Sequence, residues 1–507
     1  LKKLILITII ILLSLVCCIK LTQADYPKNP SIRTGVMTYS SSEYEALFWA
    51  GSHFDLCVNA EWEDLDYDTI KAGDPDTKII RYATFSTYRG PDVPTLIPKF
   101  LAEYPQYDYD DLFLWVDTGD SICINAVAPD QPPCTTTDSV LCIWDATNED
   151  TVKWCGFSQR RYAPDLTKEA ARKFIIWKFL YECDPDSDGV YEYDGIMEDE
   201  ANGWYNYTGI NDYGNMMCFP LQDTEWSHGS FQDVAGWDGY SNQQCRDSLV
   251  HLKQNTWLPE IVAACSTNNL LGLFPNMAAY GVPNSDLTQD VYQYGSGILF
   301  GEYLLISPLQ QDFWNPVYVD SMFKLVISND RGRVIVWYNN PPADTAALGS
   351  WHRGFMERLC HFYSFADTGH FFFMMGQSGD NNFNIADTIW WQPILHYDIG
   401  QPDSARFVDT TGTDGASQAF TVYRREFTRD DGEEFMILYR ARNGSNYSSA
   451  SNVTIDLPDT TWMVIDADSI KGSPLSSVDI KNVEGIILQK SSGEPEPPTK
   501  YILIGSE

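Results

Sequence analysis

Between residues 33 and 375, short apolar runs alternate eight times over with longer amphipathic stretches. A short apolar run bounded by turn residues reads as a strand buried on both faces. A longer stretch with apolar residues every three or four positions reads as a helix with one buried stripe. Parallel strands need a crossover between them, so this alternation is the mark of a parallel sheet covered by helices. Strands are expected at Gly35–Tyr39, Leu56–Asn59, Lys78–Tyr82, Tyr193–Met197, Leu270–Phe274, Gly297–Phe300, Arg333–Trp337 and His370–Met374. Helices are expected at Ser42–Ala50, Leu65–Ala72, Val93–Tyr104, Thr167–Glu182, Gln244–Cys265, Leu287–Tyr294, Tyr318–Ile327 and Trp351–Phe365. Eight units of this size predict an α/β fold, a (β/α)8 TIM barrel.

Leu112–Val116 also reads as a strand, but Asp117-Thr-Gly-Asp120 and the run Ser121–Asn125 follow at once. That pattern is a hairpin, and a hairpin cannot supply consecutive parallel strands. Residues 106–163 are therefore read as a long insertion after the third strand, and residues 203–243 as a second one after the fourth. Long βα-loops on one face are where barrels keep their active sites. Beyond residue 400 strands with turn signals replace the helices, at Ala419–Phe427, Glu434–Arg442, Asn452–Leu457, Trp462–Asp466, Gly485–Leu488 and Tyr501–Ile504. Their spacing predicts a small antiparallel β-sandwich. The expected plan is a leader at 1–24, a barrel at 25–400 and the sandwich at 401–507.

Lys2 and Lys3 precede an apolar segment, Leu4–Val16, that is too short to span a bilayer comfortably, and Thr22-Gln-Ala24 offers a cleavage site. The expectation is a signal peptide and an exported protein, periplasmic or extracellular. Val16 stands where a lipid-anchoring motif before Cys17 needs a small residue, which argues against an anchor. No membrane contact is expected beyond the leader. Removing its three lysines takes the formal charge from −36 to −39. A chain this acidic lacks the basic footprint that nucleic acid or anionic lipid requires. Of 12 cysteines, ten lie beyond the leader. In an oxidising compartment Cys123, Cys134, Cys142 and Cys155, with Cys218 and Cys245, read as loop disulfides, and Cys57, Cys265 and Cys360 as free core thiols.

The fourth strand ends in acids, Asp194-Gly-Ile-Met-Glu-Asp-Glu200. A buried carboxylate costs several kcal/mol unless it is paired or protonated, so these acids must meet solvent, a cation or a substrate. Alternation puts Gly195, Met197 and Asp199 on one face and Asp194, Ile196, Glu198 and Glu200 on the other. Which face looks into the barrel is not decided by alternation.

Tyr193-Asp-Gly-Ile-x-x-Asp199 resembles the fourth-strand motif of barrel glycoside hydrolases related to the α-amylase, α-galactosidase and dextranase groups, and above all uncharacterised bacterial members. Leu114-Trp-Val-Asp-Thr-Gly119, Ala163-Pro-Asp-Leu-Thr167, Trp390-Trp-Gln-Pro393 with Tyr397-Asp-Ile-Gly400, and Tyr423-Arg-Arg-Glu-Phe427 extend the resemblance from Arg33 to Leu488. It implies that Asp199 is a nucleophile pointing to the barrel axis. Glu198 departs from the apolar residue usual there, which leaves Glu198 and Glu200 as alternatives. Glycosidase chemistry needs a second carboxyl to protonate the leaving oxygen. Glu302, after the sixth strand, stands where the α-galactosidase and dextranase resemblance implies it. The same resemblance favours a retaining mechanism.

Other rim candidates for substrate contact are Arg81, Tyr82, Trp115, Glu200, Trp204, Asn276 and Trp337. Arg81 is also a candidate ion-pair partner for Asp199. Asp184-Pro-Asp-Ser-Asp-Gly189 has acids at positions 1, 3 and 5 and glycine at 6, the start of a calcium loop, with the Val190 carbonyl at position 7. Position 12 is Gly195 rather than Glu, so Glu192 or another acid must complete the shell. Such an ion would be structural, since it lies opposite the catalytic face, and the chemistry itself needs no cofactor. The functional expectation is hydrolysis of O-glycosidic bonds in a poly- or oligosaccharide. The alternative is a non-catalytic carbohydrate-binding or cell-surface protein on the same scaffold.

Overall fold

The computed structural model describes residues 28–38, 44–59, 64–83, 88–89, 92–112, 115–117, 138–140, 142–144, 161–162, 167–184, 186–198, 253–275, 298–304, 334–339, 351–367, 369–376, 393–403, 405, 407–415, 417, 419–441, 452–466, 469–481 and 484–491.

Among them, eight parallel strands form one sheet: β1 (Arg33–Met37), β2 (Leu56–Asn59), β3 (Lys78–Ala83), β4 (Gly195–Glu198), β5 (Gly272–Pro275), β6 (Ile298–Leu304), β7 (Val334–Asn339) and β8 (Phe371–Gly376). The hydrogen-bonded order is β5-β4-β3-β2-β1-β8-β7-β6. All seven ladders are parallel. Since β1 pairs β8, the chain order runs round a cylinder, and the ladder is open only between β5 and β6. This is the expected (β/α)8 barrel. The described helices that cover it are α1 (Tyr44–His53), α2 (Asp64–Gly73), α3 (Asp92–Glu103), α4 (Glu169–Cys183), α5 (Leu258–Thr267) and α6 (Trp351–Phe365). The expected helices at Leu287–Tyr294 and Tyr318–Ile327 lie outside the described residues.

The strands whose side chains are described have two apolar faces because they meet two cores. Met37, Leu56, Val58, Ile80, Met197, Phe274, Ile335, Phe372 and Met374 fill the interior, with Tyr82 packed against them. The residues between them, including Val36, Cys57, Ile79, Ile196, Leu273, Val336 and Phe373, face the helices. Gly195 fits where β4 and β5 approach, because a Cβ there would lie 2.3 Å from the Gly272 carbonyl oxygen.

The insertion after β3 contains antiparallel strands, as expected. Trp115–Asp117 pairs with Asp138–Val140, and the expected hairpin partner Ser121–Asn125 lies outside the described residues. Arg161–Tyr162 pairs with both Tyr88–Arg89 and Cys142–Trp144.

The C-terminal strands are β9 (Gln401–Pro402), β10 (Phe407–Thr413), β11 (Ala419–Thr428), β12 (Glu434–Ala441), β13 (Val453–Asp456), β14 (Trp462–Asp466), β15 (Ser469–Leu475), β16 (Ser477–Ile480) and β17 (Glu484–Lys490). A seven-stranded sheet runs β9-β11-β12-β17-β14-β15, with β10 also on β11, and a two-stranded sheet joins β13 to β16. The central strands β11, β12 and β17 of the large sheet are buried on both faces. Val422, Met436, Leu438 and Leu488 pack with Ile455 and Ile480 of the small sheet. Tyr423, Phe427, Phe435, Ile437 and Ile487 join the core shared with the barrel helices. That explains the unbroken apolar run Phe435-Met-Ile-Leu-Tyr439 in an antiparallel strand. The contact with α6 is close: a Cβ on Gly485 would lie 2.2 Å from that of Cys360. The C-terminal strands therefore brace the barrel.

Candidate functional site: the two ends of the fourth strand

Met197 lies in the barrel interior and Ile196 faces the helices. This decides which face of β4 is interior: the one shared by Gly195 and Met197. Met197 stands in register with Tyr82 on one side and Phe274 on the other. Glu198 closes β4, in register with Ala83 and Pro275. Asp199, Glu200, Trp204 and Asn276 lie outside the described residues.

Glu302 falls within β6, between Phe300 and Leu304, where the register against β7 shifts. Simple alternation does not carry through a bulge. Trp337 lies in β7, in register with Met374 of the interior layer. Trp115 lies in the two-stranded ribbon of the insertion.

Arg81 corrects an expectation. It is next to Tyr82 on β3, and its parity turns it outward, away from the interior. Its guanidinium is 2% exposed and sits against the end of α4. Nη1 lies 2.9 Å from the Glu182 carboxylate and donates to the Glu182 carbonyl oxygen at 2.9 Å. The guanidinium also lies over the Tyr193 ring, 5.5 Å from its centre. The carboxylate it meets is thus Glu182, and the bond to the carbonyl satisfies a helix end. Asp194 is a joint as well. Its two oxygens accept from Lys78 Nζ and from the Ile79 backbone N–H, both at 2.9 Å, which ties the start of β4 to β3.

The acidic loop from α4 to β4 gathers its carboxylates through local turns. The loop is pinched at its base by Tyr193 N–H donating to the Cys183 carbonyl at 3.1 Å. Asp184 Oδ1 accepts from Asp188 N–H and Asp184 Oδ2 from Gly189 N–H, at 3.2 and 3.1 Å. Asp188 Oδ1 accepts from the Val190 N–H at 2.7 Å. Ser187 and Gly189 take positive φ, 60° and 89°, and Gly is suited to the second position because it has no Cβ to clash. These turns gather Asp184, Asp186, Asp188 and Glu192 so that one carboxylate oxygen from each lies within 4.8 Å of the others. The Glu192 Oε2 is buried without a hydrogen-bond partner. Burial first, then the charges of Asp186, Asp184 and Asp188, raise the Glu192 carboxyl to about 7. Hard oxygen donors in this number suit calcium. The loop sits at the strands' N-terminal ends, opposite the barrel face that carries active sites.

Two motifs of the family resemblance have structural work. Ser31 Oγ donates to Asp398 Oδ1 at 2.6 Å and accepts from the Ile399 and Gly400 N–H groups, clasping the segment before β1 to Tyr397-Asp-Ile-Gly400. Gly400 has φ 81°, and a Cβ there would meet the Thr428 carbonyl at 2.1 Å. Arg425 of Tyr423-Arg-Arg-Glu-Phe427 donates to the Tyr363 and Ala366 carbonyls at 2.9 and 2.6 Å, capping α6.

Cys57, Cys265 and Cys360 are free and buried, as expected, and so is Cys183. Cys142 lies in a short strand. Cys123, Cys134, Cys155, Cys218 and Cys245 lie outside the described residues, as does the segment 1–24 read as a leader. Among the described residues no helix is long and apolar enough to cross a membrane.

The class these features define is a (β/α)8 protein with acids at both ends of its fourth strand and an antiparallel sheet against its helices. No family model matches the chain, and no curated protein matches it. Solved structures of glycoside hydrolases do resemble it. The glycoside hydrolase domain of PelA from Pseudomonas aeruginosa is 12% identical, over 70% of this chain and 98% of that one, with a TM-score of 0.33. An α-amylase from Geobacillus thermoleovorans, complexed with acarbose, is 11% identical over 92% and 99%, with a TM-score of 0.42. A family 27 β-L-arabinopyranosidase from Geobacillus stearothermophilus is 9% identical over 92% and 98%, with a TM-score of 0.44. Scores this low carry no activity across, and the barrel rests on its own strand order.

Proposed function

We propose that the chain is an exported glycoside hydrolase that cleaves O-glycosidic bonds of a poly- or oligosaccharide. The observation that carries this reading is the facing of β4: Gly195 and Met197 look into the barrel, and the strand runs at its C-terminal end into Glu198-Asp-Glu200. Asp199 shares their parity, and a carboxylate brought to that face would meet the axis of the C-terminal mouth. In this reading Asp199 attacks the anomeric carbon while Glu302 protonates the departing oxygen. The glycosyl–Asp199 ester is then hydrolysed by a water whose proton returns to Glu302. Tyr82, Trp115, Glu200, Trp204, Asn276 and Trp337 are proposed substrate contacts. Arg81 is not among them, because it is committed to Glu182. The test is a polysaccharide panel assayed for reducing ends with the wild-type chain and Asp199→Asn. Loss of all turnover in a normally folded variant supports the assignment. Retained turnover removes Asp199 from it. A wild-type chain that binds sugar but releases none would instead be a non-catalytic binding protein. NMR of the first-formed product anomer separates retention from inversion.

The loop at the other end of β4 is proposed to hold a structural calcium ion. Asp184, Asp186, Asp188 and Glu192 would supply carboxylates, and the Val190 carbonyl a further ligand. The support is the convergence of four carboxylates on one point, with the sequence pattern of a calcium loop. Calcium-dependent stabilisation in a thermal melt, lost in the Asp186→Asn/Asp188→Asn variant, is the measurement. Melts indifferent to calcium and chelator would remove the site.

A further inference from the structure

Among the described residues, four large hydrophobic side chains are exposed, and the two aromatic ones are neighbours: Tyr44 is 60% and Phe48 40% exposed. Both lie on α1, one helical turn apart. Their ring centroids are 6.3 Å apart and the planes are within 18° of parallel. The opposite side of the helix, Ala46, Leu47, Trp49 and Ala50, is buried, so the pair is not part of the stripe that holds α1 to the barrel. Burial would remove this aromatic surface from water at a gain of about 25 cal/mol per Å².

Two considerations fix what covers it. The first is area. Each aromatic side chain offers roughly 150–250 Å², and at these exposures the pair leaves on the order of 200 Å² free, against about 800 Å² per partner in a stable protein interface. That is too little to seat a protein and enough for one or two sugar rings. The second is charge. The helix Tyr-Glu-Ala-Leu-Phe-Trp-Ala-Gly-Ser-His contains no Lys or Arg, Glu45 beside the rings is exposed, and the whole chain carries −36. Anionic lipid and nucleic acid are excluded, and a neutral ligand with an apolar face and hydroxyl donors is favoured. Location gives the pair its use. Tyr44 opens the first helix after β1, so it lies at the C-terminal end of the strands, the end that carries the proposed catalytic acids.

We infer that Tyr44 and Phe48 form a stacking platform for a neutral glycan, outside the catalytic constellation, which holds a polymeric substrate at the barrel mouth. This rests on the glycoside hydrolase reading and narrows its substrate to a polysaccharide long enough to reach α1. The test is native affinity electrophoresis of the full chain in gels containing soluble starch, dextran or xylan, with reducing-end release from the same polymer measured separately. Circular dichroism of each variant establishes folding. At least one polymer should retard the wild-type chain, and Tyr44→Ala/Phe48→Ala should weaken the affinity behind that retardation about tenfold, equivalent to about 1.4 kcal/mol. Tyr44→Phe/Phe48→Tyr should keep it, because both ring faces remain. Undiminished retardation of the alanine variant overturns the platform, as does a wild-type chain that none of the three polymers slows. Retardation that depends on the rings without release of reducing ends keeps the platform and removes the hydrolase reading. Release with ring-independent retardation does the reverse.

Discussion

The fourth strand carries acids at both ends, and the two groups are positioned over different ranges of sequence. Before the strand, Asp184 and Asp188 are held by backbone N–H groups two to five residues away. After it, placement depends on the strand's register with β3 and β5, which fixes Met197 between Tyr82 and Phe274. The first group is folded by its own turn. The second, in the proposed reading, would be aimed by the whole barrel. Short-range hydrogen bonds gather charges onto one another, which suits a cation, whereas register aims a side chain at an enclosed space, which suits a substrate.

Asp194 and Asp199 set up the sharpest contrast, because they are five residues apart and flank the strand. Asp199→Asn is expected to lower kcat by at least about a thousandfold, as loss of a covalent nucleophile does, with an unchanged melting temperature. Asp194→Asn should do the opposite. It weakens the bonds to Lys78 and Ile79 at the base of β4, at a cost of roughly 1–3 kcal/mol, and leaves kcat within a factor of a few. A large kcat loss from Asp194→Asn at unchanged stability would break the division. Arg81 gives the next largest effect. Truncating one partner of a buried pair leaves the other charge uncompensated, at about 3–5 kcal/mol. Arg81→Met should therefore unfold at markedly lower denaturant, with partial recovery in Arg81→Met/Glu182→Gln. If Arg81 bound substrate instead, KM would rise at unchanged stability.

These cases also show what could be read from the sequence. The barrel was legible because strands buried on both faces and amphipathic helices have different periods, so strands such as Leu56–Asn59 were bounded to the residue. The gathering of acids before β4 was legible because the spacing of Asp184, Asp186 and Asp188 follows the turn itself, and Glu192 enters because the chain doubles back over the turn at Gly189. The outward turn of Arg81 was not, since parity cannot be assigned until one neighbour is known to face inward. The pairing of Trp115–Asp117 with Asp138–Val140 was not legible, because an apolar run marks a strand without marking its partner. The clasp of Ser31 to Asp398 was invisible, as it joins residues 367 positions apart.

The smaller effects belong to the loop. Calcium at about 100 times its dissociation constant would stabilise the folded chain by about 2.7 kcal/mol, a shift of a few degrees that Asp186→Asn/Asp188→Asn should abolish. No change in kcat at a temperature where both forms are folded would mark the ion as structural.

The smallest effect is a pH dependence that tests the same loop without metal. In chelator the folded Glu192 carboxyl lies at about 7, against 4.5 for an unperturbed Glu. The folded state therefore holds this proton more tightly than the unfolded chain. Its contribution to stability is full below 4.5 and is lost as pH rises through about 7. The melting temperature in chelator should accordingly fall between pH 5 and 8, and Glu192→Gln should flatten that part of the slope, since an amide cannot titrate. Calcium must displace the same proton, so its apparent affinity should climb over the same interval. An unchanged slope in Glu192→Gln would mean that neither burial nor the three aspartates raise this carboxyl, and the loop would then be an acidic turn with no gathered site.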